Sequence, residues 1–112
     1  MSYQHKKLAE GRWGELPFAS QMANIGSEVI RAINWKKKDN LSYSQQAFER
    51  ALELLYLTIE NQKNKKRLKE LTRLYEVLVD YFAFDNEYGS TDKLWQNYFI
   101  GFNYMAQCLK KD

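Results

Sequence analysis

The sequence predicts an all-α fold, an antiparallel up-down-up-down four-helix bundle, on three observations. Four segments repeat apolar residues at helical spacing. Five Gly and one Pro in 112 residues provide few turns, so the elements must be long. The breaks between the segments are short, which sets consecutive helices side by side and reversed.

The second helix, near 42–61, is the centre of the pattern. Phe48, Leu52, Leu55 and Ile59 follow i, i+4, i+7, i+11, with Ala47, Ala51, Leu54 and Thr58 beside them. That apolar sector is wider than ~100°, so at least two other helices must cover it. Ser42 or Ser44 is placed to cap its start. The first helix, near 16–37, opens with Pro17, whose missing N–H needs no intrahelical partner in a first turn. Phe18, Met22, Ile25, Val29 and Ile33 or Ala32 form its inward stripe, and the small Ala19, Ala23 and Gly26 let a neighbour come close.

The third helix, near 65–83, carries Leu68, Leu71, Tyr75, Leu78 and Phe82 at 3-4-3-4 spacing, which suits a shallow crossing of about 20°. The fourth, near 91–109, is capped by Ser90 or Thr91 and has two adjacent apolar stripes. One is Leu94, Tyr98, Gly101, Met105 and Cys108; the other is Trp95, Phe99, Phe102, Ala106 and Leu109. A face that broad is either deeply buried or shared with another subunit. Residues 1–15 hold two Gly and no helical period. They read as a flexible basic N-terminal arm, from which Trp13 is free to fold back, ahead of a bundle over 16–112.

Composition narrows the function. Apolar residues at 45% and aromatics at 15% are too rich for a disordered chain. No uncharged stretch reaches the ~20 residues needed to cross a bilayer, and the polar N-terminus has no apolar signal region; a cytoplasmic protein with no membrane partner is expected. Cys108, the single Cys, excludes an internal disulfide and reads as a small core residue. His5, the single His, sits in the arm, so neither a histidine base nor a histidine metal site can form in the core.

Glu28, Glu49, Glu53, Glu76 and Asp80 lie on helices, as the carboxylates of di-iron bundles do. Those sites require paired Glu-x-x-His units, and the sequence has none. No enzymatic activity, metal, cofactor or small-molecule substrate is therefore expected. The helix-border charges read as structural ion pairs, Glu28 with Arg31 or with Arg50 across the first two helices, and Glu53 in the same set.

The net charge of +3 hides a polarised distribution. Alternating helices bring the arm, the second break and the C-terminus to one end. That end collects Lys6, Lys7, Arg12, Lys110 and Lys111 around the cluster Lys63, Lys65, Lys66, Arg67, Lys69 and Arg73, and the remainder of the chain is net acidic. Positive charge at a helix N-terminus opposes the helix dipole, and a patch of this kind attracts phosphate polymers. At the other pole Trp35-Lys36-Lys37-Lys38 ends the first helix, where cations suit the dipole, and Asp85, Glu87 and Asp92 are placed to pair with them.

Met22-Ala23-Asn24-Ile25-Gly26-Ser27-Glu28-Val29-Ile30-Arg31, followed by Ala51-Leu52-Glu53-Leu54, resembles the four-helix-bundle family encoded in intervening sequences of large-subunit ribosomal RNA. Its signature is Ala-Asn-Ile, an acid and an Arg in one helix, then Ala-Leu and Glu-Leu in the next. Here one residue is inserted before Glu28 and the family's Glu-Gly pair is absent. The resemblance implies a cytoplasmic bundle that forms oligomers and, as in accessory proteins of diversity-generating reverse transcriptases, contacts nucleic acid through basic surfaces. A more distant likeness is to helical ribonuclease-type domains of toxin–antitoxin pairs. Their signature is an Arg followed after four to six residues by His, and no His follows any Arg here, so that likeness implies a catalytically dead copy.

Together these features predict a small non-enzymatic accessory protein. It would bind nucleic acid or a nucleoprotein partner, such as a reverse transcriptase, through Lys63, Lys65, Lys66, Arg67, Lys69 and Arg73. It would associate with itself as a homo-oligomer through Trp95, Tyr98, Phe99 and Phe102 of the fourth helix. The alternative is a protein-interaction scaffold or antitoxin-like subunit, whose interface is those aromatics and whose charges serve solubility.

Overall fold

The computed structural model describes residues 11–110, and among them four α-helices pack together with no strand. These are α1 (Phe18–Lys37), α2 (Leu41–Glu60), α3 (Leu68–Ala83) and α4 (Asp92–Lys110). Residues 1–10, which hold most of the expected arm with His5, Lys6 and Lys7, lie outside the described residues, as do Lys111 and Asp112.

The apolar stripes meet in one core. Met22, Ile25, Val29 and Ile33 of α1 face Leu54 and Leu55 of α2, Leu71, Leu74 and Leu78 of α3, and Trp95 and Phe99 of α4. A smaller cluster of Ala32, Ala47 and Phe48 closes the end near the first turn. Contacts between α1 and α2 run in reverse order along the chain. The Ser44 hydroxyl donates to the Ala32 carbonyl (2.8 Å), and Arg50 Nε reaches Glu28 (3.0 Å). Contacts between α1 and α4 do the same, from Phe18 with Phe102 to Lys37 with Asp92. α1 lies along both α2 and α4, and α2 along α3. α3 and α4 stand further apart, with an open cleft between them.

Several ends differ from the sequence expectation. Asn40, not Ser42 or Ser44, caps α2, its Oδ1 accepting from the Tyr43 N–H at 3.0 Å. Ser44 is one turn further in, on the buried side, where its hydroxyl ties α2 to the end of α1. α3 begins at Leu68, because Gln62–Arg67 wind as a tighter 3-10 turn. That turn drives Asn64 inward (3% exposed), and its amide donates to Gln21 Oε1 and to the Thr58 carbonyl, both at 3.0 Å. At α4, the Thr91 hydroxyl accepts from the Leu94 N–H (3.1 Å), satisfying one of the first-turn donors.

The described part of the expected flexible arm is ordered. Trp13–Glu15 form a short 3-10 turn, and Trp13 belongs to the core with 3% of its surface exposed. Its indole N–H donates to the Thr58 hydroxyl (2.8 Å), and its carbonyl accepts from Gln21 Nε2 (2.9 Å). Such a network fastens the chain only because nearly every buried polar group in it has a partner.

Candidate functional site

The six cations of the expected binding cluster divide by what their side chains do. Lys63, at the start of the 3-10 turn, sends its ammonium back to the carbonyls of Gly14 (3.0 Å) and Leu16. It closes the N-terminal segment onto the bundle, so its role in the fold is structural. Arg67 lays its guanidinium over the Phe18 ring at 4.1 Å, and Phe18 in turn meets Phe102 edge-on at 5.9 Å. Arg73, two turns into α3, stacks on Tyr88 at 4.9 Å.

Lys65, Lys66 and Lys69 are exposed, and no ion pair among the described residues engages them. Helical spacing puts Lys66, Lys69 and Arg73 on one side. With Arg67 they border a shallow depression of about 760 Å³ that also contains Glu70, Thr72 and Glu76. Glu70 also borders the cleft that faces α4. Burial, the charge of Glu70 and a hydrogen bond to its carboxylate, in that order, push the Tyr98 hydroxyl up to about 12.

Beyond Glu70 and Arg73 the surface becomes apolar. Those two residues also border the cleft between α3 and α4, of about 360 Å³, whose walls are Leu74 and Val77 on one side and Leu94, Trp95 and Tyr98 on the other, with Ser90 at one end. The α3–α4 connection that holds this end is built around Asp80. Its buried carboxylate accepts from the N–H groups of Glu87 (2.9 Å) and Tyr88 (3.0 Å). Asn86, in the left-handed region at φ 54°, exchanges hydrogen bonds with Ser90. This anchoring was not read from the sequence. The usable signal is Asp80 preceding the turn-forming Asn86-Glu87-Tyr88-Gly89.

The helix-four aromatics need a correction. Trp95 and Phe99, expected at a subunit interface, lie inside the chain's own core at 5% and 1% exposure, and Phe102 is half-buried against Phe18. The surplus apolar surface of α4 is carried by Leu94, Ile100, Tyr104, Met105 and Leu109, with Tyr98 at its edge. Cys108, read as core, is exposed. The reason is the separation of α3 from α4, which leaves one of α4's two stripes uncovered.

Elsewhere several charges are engaged. Glu28 accepts from Arg31 Nη1 (2.9 Å) and from Arg50 Nε (3.0 Å) at once, while Glu53 is buried on α2. At the opposite pole Lys37 meets Asp92 (3.8 Å), Lys36 lies over Tyr81 and Lys38 over Trp35. Among the described residues no group of His, Cys, Asp and Glu converges as a metal site, and no helix is long and apolar enough to cross a membrane. Comparison with protein-family models, with curated proteins and with solved structures finds no match to the chain.

Proposed function

We propose that this protein is a small non-enzymatic accessory module of the cytoplasm, an up-down-up-down bundle that binds the phosphate backbone of a nucleic acid, free or within a nucleoprotein. The binding face is Lys65, Lys66, Lys69 and Arg73, with Arg67 at its edge; Lys63 is reserved for the fold. One observation carries this reading: the cations around an open depression are engaged by no ion pair among the described residues. At the other pole Lys37 has a carboxylate partner in Asp92, at 3.8 Å. The sequence resemblance to intervening-sequence and reverse-transcriptase accessory bundles points the same way.

Fluorescence anisotropy with labelled nucleic acid tests it. Affinity should fall steeply between about 50 and 200 mM salt, and the double substitution K66E/K69E should lower the slope of log K against log salt by about 2. A slope unchanged by that substitution would reject this face. A second reading, a protein-interaction scaffold or homo-oligomer without nucleic-acid binding, is favoured by the exposed apolar residues of α4. Its association should be nearly insensitive to salt over the same range.

A further inference from the structure

We propose that the α3–α4 cleft receives an unpaired nucleobase, so that the nucleic acid taken by the basic face is single-stranded, not duplex. The inference rests on the phosphate-binding reading above and deepens it. Its basis is the continuity of two surfaces of opposite character: the basic depression and the apolar cleft share Glu70 and Arg73 along α3. A ligand that spans both must present a charged group beside a flat apolar one. A nucleotide strand does so at every residue, provided its bases are not paired.

In a duplex the bases are stacked inside and only phosphates and groove edges are offered. A single strand can turn a base outward onto a protein surface. The cleft suits that base in size and lining. Its volume of about 360 Å³ is near the lower end for small-molecule sites, ~300–1,000 Å³, which is room for a ring system and not for a helix. Val77 and Leu74 form one wall, and Leu94 and the accessible part of Tyr98 the other. The contact is apolar and aromatic, which tolerates any base and reads no sequence.

The cleft is held in shape from both sides. Tyr98 packs edge-on against Phe99 at 4.9 Å and against Phe102 at 5.7 Å. Arg73 is positioned on Tyr88, whose backbone is anchored by Asp80. The guanidinium thus stands at the mouth, where a phosphate next to an inserted base would lie.

The test compares oligothymidylate and oligouridylate with a hairpin duplex carrying the same number of phosphates, by anisotropy at about 50 mM salt. The single strands should bind about tenfold tighter than the duplex, the scale of one base-stacking contact. Val77→Trp, which fills the cleft, should bring single-strand affinity down to that of the duplex. Tyr98→Leu, which removes the ring from the cleft wall, should do likewise if Val77→Trp does not fold, and the thermal transition of each variant shows whether it is folded. Equal affinity for the two forms, or tighter duplex binding, overturns the inference while leaving the phosphate-binding face intact. Retention of the single-strand advantage in both folded variants overturns it as well. Absence of binding to any of the three probes overturns it together with the reading on which it rests.

Discussion

Gly26 of α1 and Phe99 of α4 occupy one contact: a Cβ built on residue 26 would lie 2.6 Å from Phe99 Cγ, closer than carbon atoms pack. Gly101, on the same α4, has nothing within 4 Å of its own Cβ position. Two helical glycines therefore carry opposite expectations. Gly26→Ala should destabilise by about 1–3 kcal/mol through overpacking. Gly101→Ala should stabilise by roughly 0.5–1 kcal/mol through helix propensity. Urea denaturation of the two variants checks both signs, and a Gly26→Ala protein as stable as the parent would contradict the close α1–α4 contact.

The two core tryptophans make a second contrast. Trp13 Nε1 has the Thr58 hydroxyl as acceptor at 2.8 Å, whereas the buried Trp95 Nε1 has no partner among the described residues. Replacing either by Phe leaves a similar space, but Trp13→Phe also removes a hydrogen bond and Trp95→Phe removes an unsatisfied donor. Trp13→Phe should be the costlier by about 1–2 kcal/mol. The reverse order in chemical denaturation would show that the indole of Trp95 is not orphaned.

Lys63 and its neighbours should separate fold from binding. Lys63→Ala loses two charge-assisted bonds to the carbonyls of Gly14 and Leu16, and at an exposed position this should cost about 1 kcal/mol. Lys65→Ala and Lys69→Ala should leave the denaturation midpoint unchanged and weaken nucleic-acid binding. Proteolysis near Gly14 adds a local readout, since cleavage should quicken in the Lys63 variant and not in the other two.

Alkaline pH should unfold the protein through its helix-four side. Tyr98 is pushed up to about 12, and burial with a hydrogen bond to Asp92 raises Tyr81 as well. The folded protein keeps protons that the unfolded chain releases near pH 10. The associated stability is complete below about pH 10 and is lost as pH rises through the folded values. Tyr98→Phe should flatten the fall in stability between about pH 10 and 12. An unchanged alkaline limb would show that neither burial nor Glu70 holds the Tyr98 proton in the folded protein.

Self-association, if it uses α4, should depend on the residues that the fold leaves outside. Tyr104 and Ile100 are 71% and 66% exposed. Light scattering at micromolar concentration should then give at least twice the 13.4 kDa chain mass, and Tyr104→Glu should return it to the monomer without changing the thermal transition. A monomeric parent protein under those conditions rejects the interface.

Periodicity in the sequence was sufficient to locate four helices and the stripes that form their core, because a helix must bury its apolar side wherever its neighbours stand. Glu28 at the border of the first helix announced its need for a partner in the same way, and Arg31 and Arg50 were the nearest choices. Tertiary structure decided what periodicity cannot carry. Trp95 and Phe99 were chosen as the buried half of α4's broad apolar sector, and Leu94, Met105 and Leu109 were left outside, by the distance between α3 and α4. Lys63 was taken from the basic cluster by carbonyls 49 and 47 positions away in the chain. Asn64 and Gln21 became core residues because the turn that joins α2 to α3 closes over Trp13. Each of these depends on groups distant in sequence meeting in space, and a residue's own neighbours along the chain hold no record of such a meeting.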